Sequence, residues 1–559
     1  MKKKIVAFIT IIAVLSTIFA GCGNSSDTSG SNTAAAPSTQ DISSSVGSNV
    51  IGTVADTSKQ YDKIKLAVNS DWGNMLPVDP NEGSRSIVMW SIYETLFMYT
   101  PTNSGFDMYQ PFLAKDYEKV TVDGYTSGDV YDIHLFDYIH DTAGNTIDAD
   151  DVLYCYNYYF QNGYTNKSDC VDHFEKVDTY TFRMYFNKTI DSVGELEVPW
   201  CHYPVVDQTV FEGCATNPIG TGVYKCKEFV SGSHIIFEAN DNYWQTDKSY
   251  IGENFQSNVK EFEVDVVPEA SSQVIMLQTG DIDYSEVVPY ENLADFQENG
   301  QYSDKYNVVT RPQEYTYCII PSHDSHSVCQ NADMRRAIYY AISNEAIAAA
   351  LGGNAIAAKS LGSPVRADYS KAWENDSTYI NTCDPTKTAE LLKSAGYNGE
   401  ELVISYENAK LFPKIAEIMQ NMLVSAGINC KLNPVETAQA RAMKSDSAHW
   451  DIYLGGFGGS FLIGGWFKYL NYTDDGTGYC VGGYKDETLQ KLFSTAYTME
   501  GHTEENMTAL LDYAISDDNA YIDALCIACS NVVYSKAFSS LYYVNGSWFY
   551  PGSCTYNFQ

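Results

Sequence analysis

The sequence predicts a mixed α/β fold, and three observations carry the expectation. Leu402 to Tyr406 reads as a strand, Pro413 opens a helix with Ile415, Ile418, Met419, Met422 and Leu423 on one apolar face, and Ile428 to Leu432 resumes as a strand. Gly427 supplies the stop between helix and second strand. Such a βαβ unit requires parallel strands covered by helices. Other segments carry helix start and stop signals of the same kind. Finally, about 500 residues follow the polar N-terminal region, enough for two or three domains with sizeable cores.

In chain order, Lys2, Lys3 and Lys4 precede an almost wholly apolar run, Ile5 to Ala20, which stops at Phe19-Ala20-Gly21-Cys22. A basic start, an apolar run and small residues before a cut read as a secretory signal peptide over residues 1–21. The run is short against the ~20 residues that span a bilayer. Cleavage leaves Cys22 first, which resembles the bacterial lipobox, where that cysteine is lipidated; Phe19 departs from the usual aliphatic residue. Residues 22–60 hold mostly Ser, Thr, Asn, Gly and Ala and little to bury, so they are expected to be a flexible, lipid-anchored linker. Farther on, Asp148 can cap a helix, with Asp151 at the capping-box position and Ile147 placed to staple to Val152. Asp150 and Asp151 have the look of a catalytic pair, but capping and the helix dipole account for both. Thr386 to Ala395 reads as another helix with Gly396 as its stop.

The formal net charge of -36 argues against nucleic acid as a partner, since phosphates demand a basic surface. Of 14 cysteines, those remaining after Cys22 are odd in number and show no staple framework. Cys526 and Cys529 form a C-x-x-C in an apolar segment without a second pair, which reads as buried thiols before a redox or zinc site. No H-E-x-x-H, G-x-S-x-G, P-loop or dinucleotide fingerprint is present. Gly458-Gly459-Ser460-Phe461-Leu462 fails the nucleophile pattern at its last position. His323 and His326, spaced H-x-x-H beside Asp324, are too sparse to make a metal site, and no cofactor is expected.

A series of segments in fixed order points elsewhere. Ile92 to Phe97 (IYETLF) precedes Gln110 to Glu118, Asp132 to Leu135 and Gly144 to Val152; Asn217 to Lys225 (NPIGTGVYK) precedes Asn240 to Trp244. Leu277 to Asp283 (LQTGDID), Met334 to Ile338 (MRRAI) and Leu391 to Tyr397 (LLKSAGY) follow. Together they resemble the family 5 extracytoplasmic solute-binding proteins of ABC importers, the oligopeptide- and dipeptide-binding group, over roughly residues 62–545. The resemblance implies a two-lobe periplasmic-binding-protein-like fold of the class II, cluster C type, with an inserted subdomain in the first lobe. It places the first lobe at 61–310, including an insertion at about 85–214, the second at 311–525, and a return to the first at 526–559. It further implies a monomeric, non-enzymatic receptor, lipid-anchored to the outer face of the cytoplasmic membrane, that passes a small solute to a membrane permease. Peptide is the first ligand class implied; nickel, sugars, opines and glutathione are others.

Most shared motifs then serve the fold. Gly220 and Gly222 are expected to allow a tight turn with positive φ, and Arg335 and Arg336, on an amphipathic helix, to pair with surface acids. For the pocket, the resemblance implies an aromatic residue after a central strand and, three places on, an aspartate for the ligand's amine. Asp451 to Gly456 matches the strand, Phe457 the aromatic position and Ser460 the aspartate position. Serine brings a hydroxyl without charge, so amine recognition at this point is not expected. Phe457, Ser460, Trp466, Tyr315, Tyr317 and Trp72 are the candidate ligand-binding residues. The alternatives are a lipid-anchored secreted hydrolase, which lacks a convincing nucleophile and base, and a surface adhesin, which lacks repeats.

Overall fold

The computed structural model describes residues 49–77, 85–100, 105–162, 170–192, 195–251, 255–366, 368–375, 379, 383–444, 446–458, 470, 481–544, 546 and 548–558. Cys22, Ser460 and Trp466 therefore lie outside the described residues, as do the expected signal peptide and most of the linker.

Eleven strands among the described residues form one mixed sheet. They are β1 (Tyr61–Val68), β2 (Tyr224–Val230), β3 (His234–Ala239), β4 (Val259–Val266), β5 (Tyr284–Ser285), β6 (Tyr306–Pro321), β7 (Ala355–Ala357), β8 (Leu402–Glu407), β9 (Cys430–Val435), β10 (Ile452–Phe457) and β11 (Asp523–Ser535). Their order is β9-β8-β10-β6-β11-β5-β1-β4-β3-β2, with β7 on β11. The long strands β6 and β11 pair antiparallel at the centre, and chain segments far apart in sequence flank them on either side.

The predicted βαβ unit is β8, the helix Phe412–Ser425 and β9, with Leu402 opposite Cys430 in a parallel pair. The second strand starts two residues later than the sequence indicates. Gly427 takes φ 88° and the Ile428 N–H bonds back to the Leu423 carbonyl at 2.9 Å, so Ile428 closes the helix before the strand begins. Asp384 and the left-handed Gly396 bracket the helix Pro385–Ala395, and Asp148 and Asp151 form the expected capping box on Ala149–Gln161.

Packing follows the two-residue period of the strands. Ile319, Ile404, Ile452 and Leu454 face one apolar cluster, and Cys318, Ile320, Tyr453 and Phe457 face another on the opposite side. This part of the sheet is thus buried on both faces, as a helix-covered sheet must be. A third, larger core joins Ile64 and Leu66 of β1 to the antiparallel strands Ala114–Val120, Val130–Leu135, Val171–Lys176 and Thr181–Phe186, and to Leu541, Tyr543 and Phe549 near the chain's end.

Within that core Glu94 is 2 % exposed and accepts hydrogen bonds from Tyr243 Oη at 2.5 Å and Trp244 Nε1 at 2.7 Å. Burial outweighs these donors and lifts its carboxyl pKa to about 7.

Two expectations are corrected here. Neither Gly220 nor Gly222 holds a left-handed backbone. They are glycines because other backbone presses against them: a Cβ on Gly220 would lie 2.2 Å from the Ile92 carbonyl oxygen, and one on Gly222 2.4 Å from that of Ser91. Gly222→Ala should therefore destabilise the protein by roughly 1–3 kcal/mol through overpacking, read as a shift in urea midpoint without a change in slope. Arg335 is not a surface residue. It is 3 % exposed and donates to the backbone carbonyls of Asn519 (2.7 Å), Gln330 (2.8 Å) and Cys329 (2.9 Å). Arg336 does pair with acids, Asp517 at 2.8 Å and Asp333 at 3.6 Å.

No disulfide joins any two of the twelve described cysteines. Cys526 is buried in an apolar cluster, while Cys529, three residues on and so on the other face of β11, is only partly buried. His323 packs edge-on to Tyr484, and burial first, then Arg335, depresses its pKa to about 3; His326 instead faces Asp451 at 3.8 Å.

Candidate binding cleft

A cleft of about 600 Å³ opens where the central strands meet the chain segments on either side of them. β6 and β11 form its floor. Their register slips between Pro312 and Thr316, so Gln313, Glu314 and Tyr315 leave the ladder and stand in the cleft. The bulge is pinned from three directions: Gln313 Nε2 donates to Ser530 Oγ at 2.5 Å, Ser363 Oγ donates to the Gln313 carbonyl at 2.6 Å, and the buried Arg366 pairs with Glu314 at 2.9 Å.

Aromatic side chains line much of the cleft. Tyr315 and Tyr317 lie edge to face with centroids 5.1 Å apart, and Tyr317 packs on Phe412 at 5.1 Å. Gly456 opposite leaves room for Tyr315, whose ring carbon would be 2.4 Å from any Cβ there. From the other side, Tyr284 stacks on Phe549 at 3.8 Å, and Trp548 joins them. The sequence-predicted Tyr315 and Tyr317 are thus brought together. Phe457 is 7 % exposed and pairs with Thr316 across the sheet, but it points into the cluster on the opposite face. Trp72 is 4 % exposed within the large core, although the nearby Asn69 and Ser70 line the cleft.

The charged residues of the cleft gave no signal in the sequence. Glu286, just after β5, is an exposed residue that lines the cleft, and desolvation by the surrounding protein raises its carboxyl pKa while Arg311 pulls it back. Its Oε2 accepts from Tyr284 Oη at 3.1 Å, and Tyr284 Oη lies 3.1 Å from Tyr543 Oη. The Arg311 guanidinium covers the Tyr543 ring at 3.9 Å, completing a chain from cation to carboxylate. Lys410, on the loop after β8, holds its ammonium 4.1 Å from the Tyr315 ring centre and takes a left-handed backbone at φ 53°.

An aromatic cleft with a few fixed charges binds small molecules, and its size is in the usual range of ligand sites. The model of the bacterial extracellular solute-binding proteins, family 5 Middle, matches residues 109–479. The chain belongs to this family. It is an extracytoplasmic solute-binding protein of an ABC importer with the two-lobe α/β fold of periplasmic binding proteins. The oligopeptide-binding protein AppA of Bacillus subtilis is 25 % identical over 418 residues, 67 % of this chain and 73 % of that one. Among solved structures, HbpA2 from Haemophilus parasuis aligns with a TM-score of 0.72 at 17 % identity, covering 89 % of this chain and 100 % of that one. AppA from Bacillus subtilis, in complex with a nonapeptide, aligns at 0.60 with 17 % identity, 89 % and 100 % covered. These relatives lend no support to a hydrolase. No helix among the described residues is long and apolar enough to cross a membrane.

Proposed function

We propose that this family 5 protein is a lipid-anchored receptor that captures a peptide in the cleft and delivers it to the permease. The observation that carries the reading is the cleft itself: aromatic walls and unmatched charges set between two packed halves, in a chain whose relative AppA is an oligopeptide-binding protein. The proposed ligand-binding residues are Tyr315 and Tyr317, supported by their position in the cleft lining, together with Phe457, Trp72, Ser460 and Trp466. The proposed boundaries remain 61–310 for the first lobe, 311–525 for the second and 526–559 for the return, with β6 and β11 as the hinge. A ligand that touches both lobes favours the closed form and shifts the population toward it. Native mass spectrometry of freshly purified protein should identify a bound peptide. Small-angle scattering should then give a smaller radius of gyration for the filled monomer than for the empty one, and equal radii at saturation would sink the closure mechanism.

The anchor is proposed at Cys22. Cys22→Ala should release the protein from membranes or leave an unprocessed precursor in fractionated cells. Unchanged anchoring with an unmodified cysteine would overturn it.

A further inference from the structure

The cleft holds charges of both signs, and they are not all answered by one another. Glu314 is neutralised by Arg366. Glu286 is different: one carboxylate oxygen accepts from Tyr284, the nearby Arg311 acts on it without a direct ion pair and packs on Tyr543 instead, and the group faces the open cleft. A carboxylate that faces the cleft and accepts from a single phenol keeps acceptor sites open to an incoming cation. Lys410 mirrors it. Its ammonium lies on the Tyr315 ring without a described carboxylate, at an exposed position whose backbone is strained. The two sit on opposite sides of the central pair in strand order, Glu286 beyond β11 and Lys410 beyond β10. Two opposite charges that line one cleft, neither held in an ion pair among the described residues, complement a ligand that is itself dipolar.

We propose that Glu286 receives the terminal ammonium of the bound peptide and that Lys410 receives its carboxylate, so that the preferred solute is a free, unblocked peptide. The inference rests on the peptide reading above and adds which ends of the peptide are recognised. It also moves amine recognition away from the Ser460 position, where the sequence offers no charge. A solute with one end on Glu286 and the other on Lys410 spans the central strands, which couples recognition of both termini to contact with both halves.

The test uses the full mature chain and a library of short, lysine-free peptides of mixed length, prepared in free, N-acetylated and C-amidated forms. Peptides retained at equilibrium are counted by mass spectrometry. Wild-type protein should retain the free library about tenfold or more over the N-acetylated one, as expected for a charged hydrogen bond. Glu286→Gln should abolish that preference while keeping the preference for free over amidated termini, and Lys410→Met should do the reverse. Equal retention of free and blocked peptides by the wild type would overturn the assignment, and this arm needs no variant to fold. Retention of no peptide from any library would instead overturn the peptide reading on which the assignment stands.

Discussion

Replacing Arg335 with methionine is expected to lower the unfolding free energy by about 4 kcal/mol, several times the effect of an ordinary surface change. The guanidinium ties three separate pieces of chain together: its own helix Ala332–Tyr340, the turn at Cys329 and Gln330, and the segment Asp518–Asn519 that leads into β11. Methionine fills much of the volume but leaves the buried Cys329 carbonyl without this donor and unties the part-buried Gln330 and Asn519 carbonyls, and an unsatisfied buried group costs more than the bond that served it. Lysine should rescue little, because one ammonium cannot reach acceptors arranged around a planar fork. Urea unfolding of the three proteins measures the effect. A loss below about 1 kcal/mol for Arg335→Met would mean that water or a shifted chain serves those carbonyls as well as the arginine does.

The second large effect is electrostatic and depends on pH. Glu94 has a folded pKa of about 7, against an ordinary value of 4.5, because burial disfavours its charged form. The fold therefore binds this proton more tightly than the unfolded chain does. Its stabilising contribution is complete below about pH 4.5 and is lost as pH rises towards 7, a difference of about 3 kcal/mol, constant thereafter. Glu94→Gln carries no titrating proton at this position. Relative to the wild type, the variant should gain about 3 kcal/mol between pH 4.5 and pH 8, whatever fixed offset the amide introduces. Parallel stability curves for the two proteins across that range would show that Glu94 stays ionised on its Tyr243 and Trp244 donors.

What the sequence made legible was local. The capping box at Asp148, the glycine stops at Gly396 and Gly427 and the apolar face of the helix Phe412–Ser425 depend on neighbours within a few residues, so spacing reveals them. Tyr315 and Tyr317 were within reach because a strand puts alternate residues on one face. The same rule explains Phe457, which sits one position out of phase with Leu454 and Gly456 and so faces the cluster on the far side. Glu286, Arg311, Lys410, Trp548 and Phe549 could not be read, because no local pattern links them. They meet only after β6 pairs with β11, a partnership in which Thr310 bonds to Asn531 across 221 residues of chain. The reason for Gly222 was missed on the same ground: the carbonyl pressing on it belongs to Ser91.

The slip in register between Pro312 and Thr316 has a mechanical meaning as well. A continuous antiparallel ladder resists bending across its plane, whereas a stretch in which residues leave the ladder yields first. In this protein the yielding stretch carries Gln313, Glu314 and Tyr315, which are also cleft residues. Under the proposed function, stiffness and affinity are therefore properties of the same side chains. On the proposed hinge reading, a substitution at Gln313 that frees the bulge from Ser530 is expected to change both how easily the lobes rotate and what they grip, so that neither is tuned without disturbing the other.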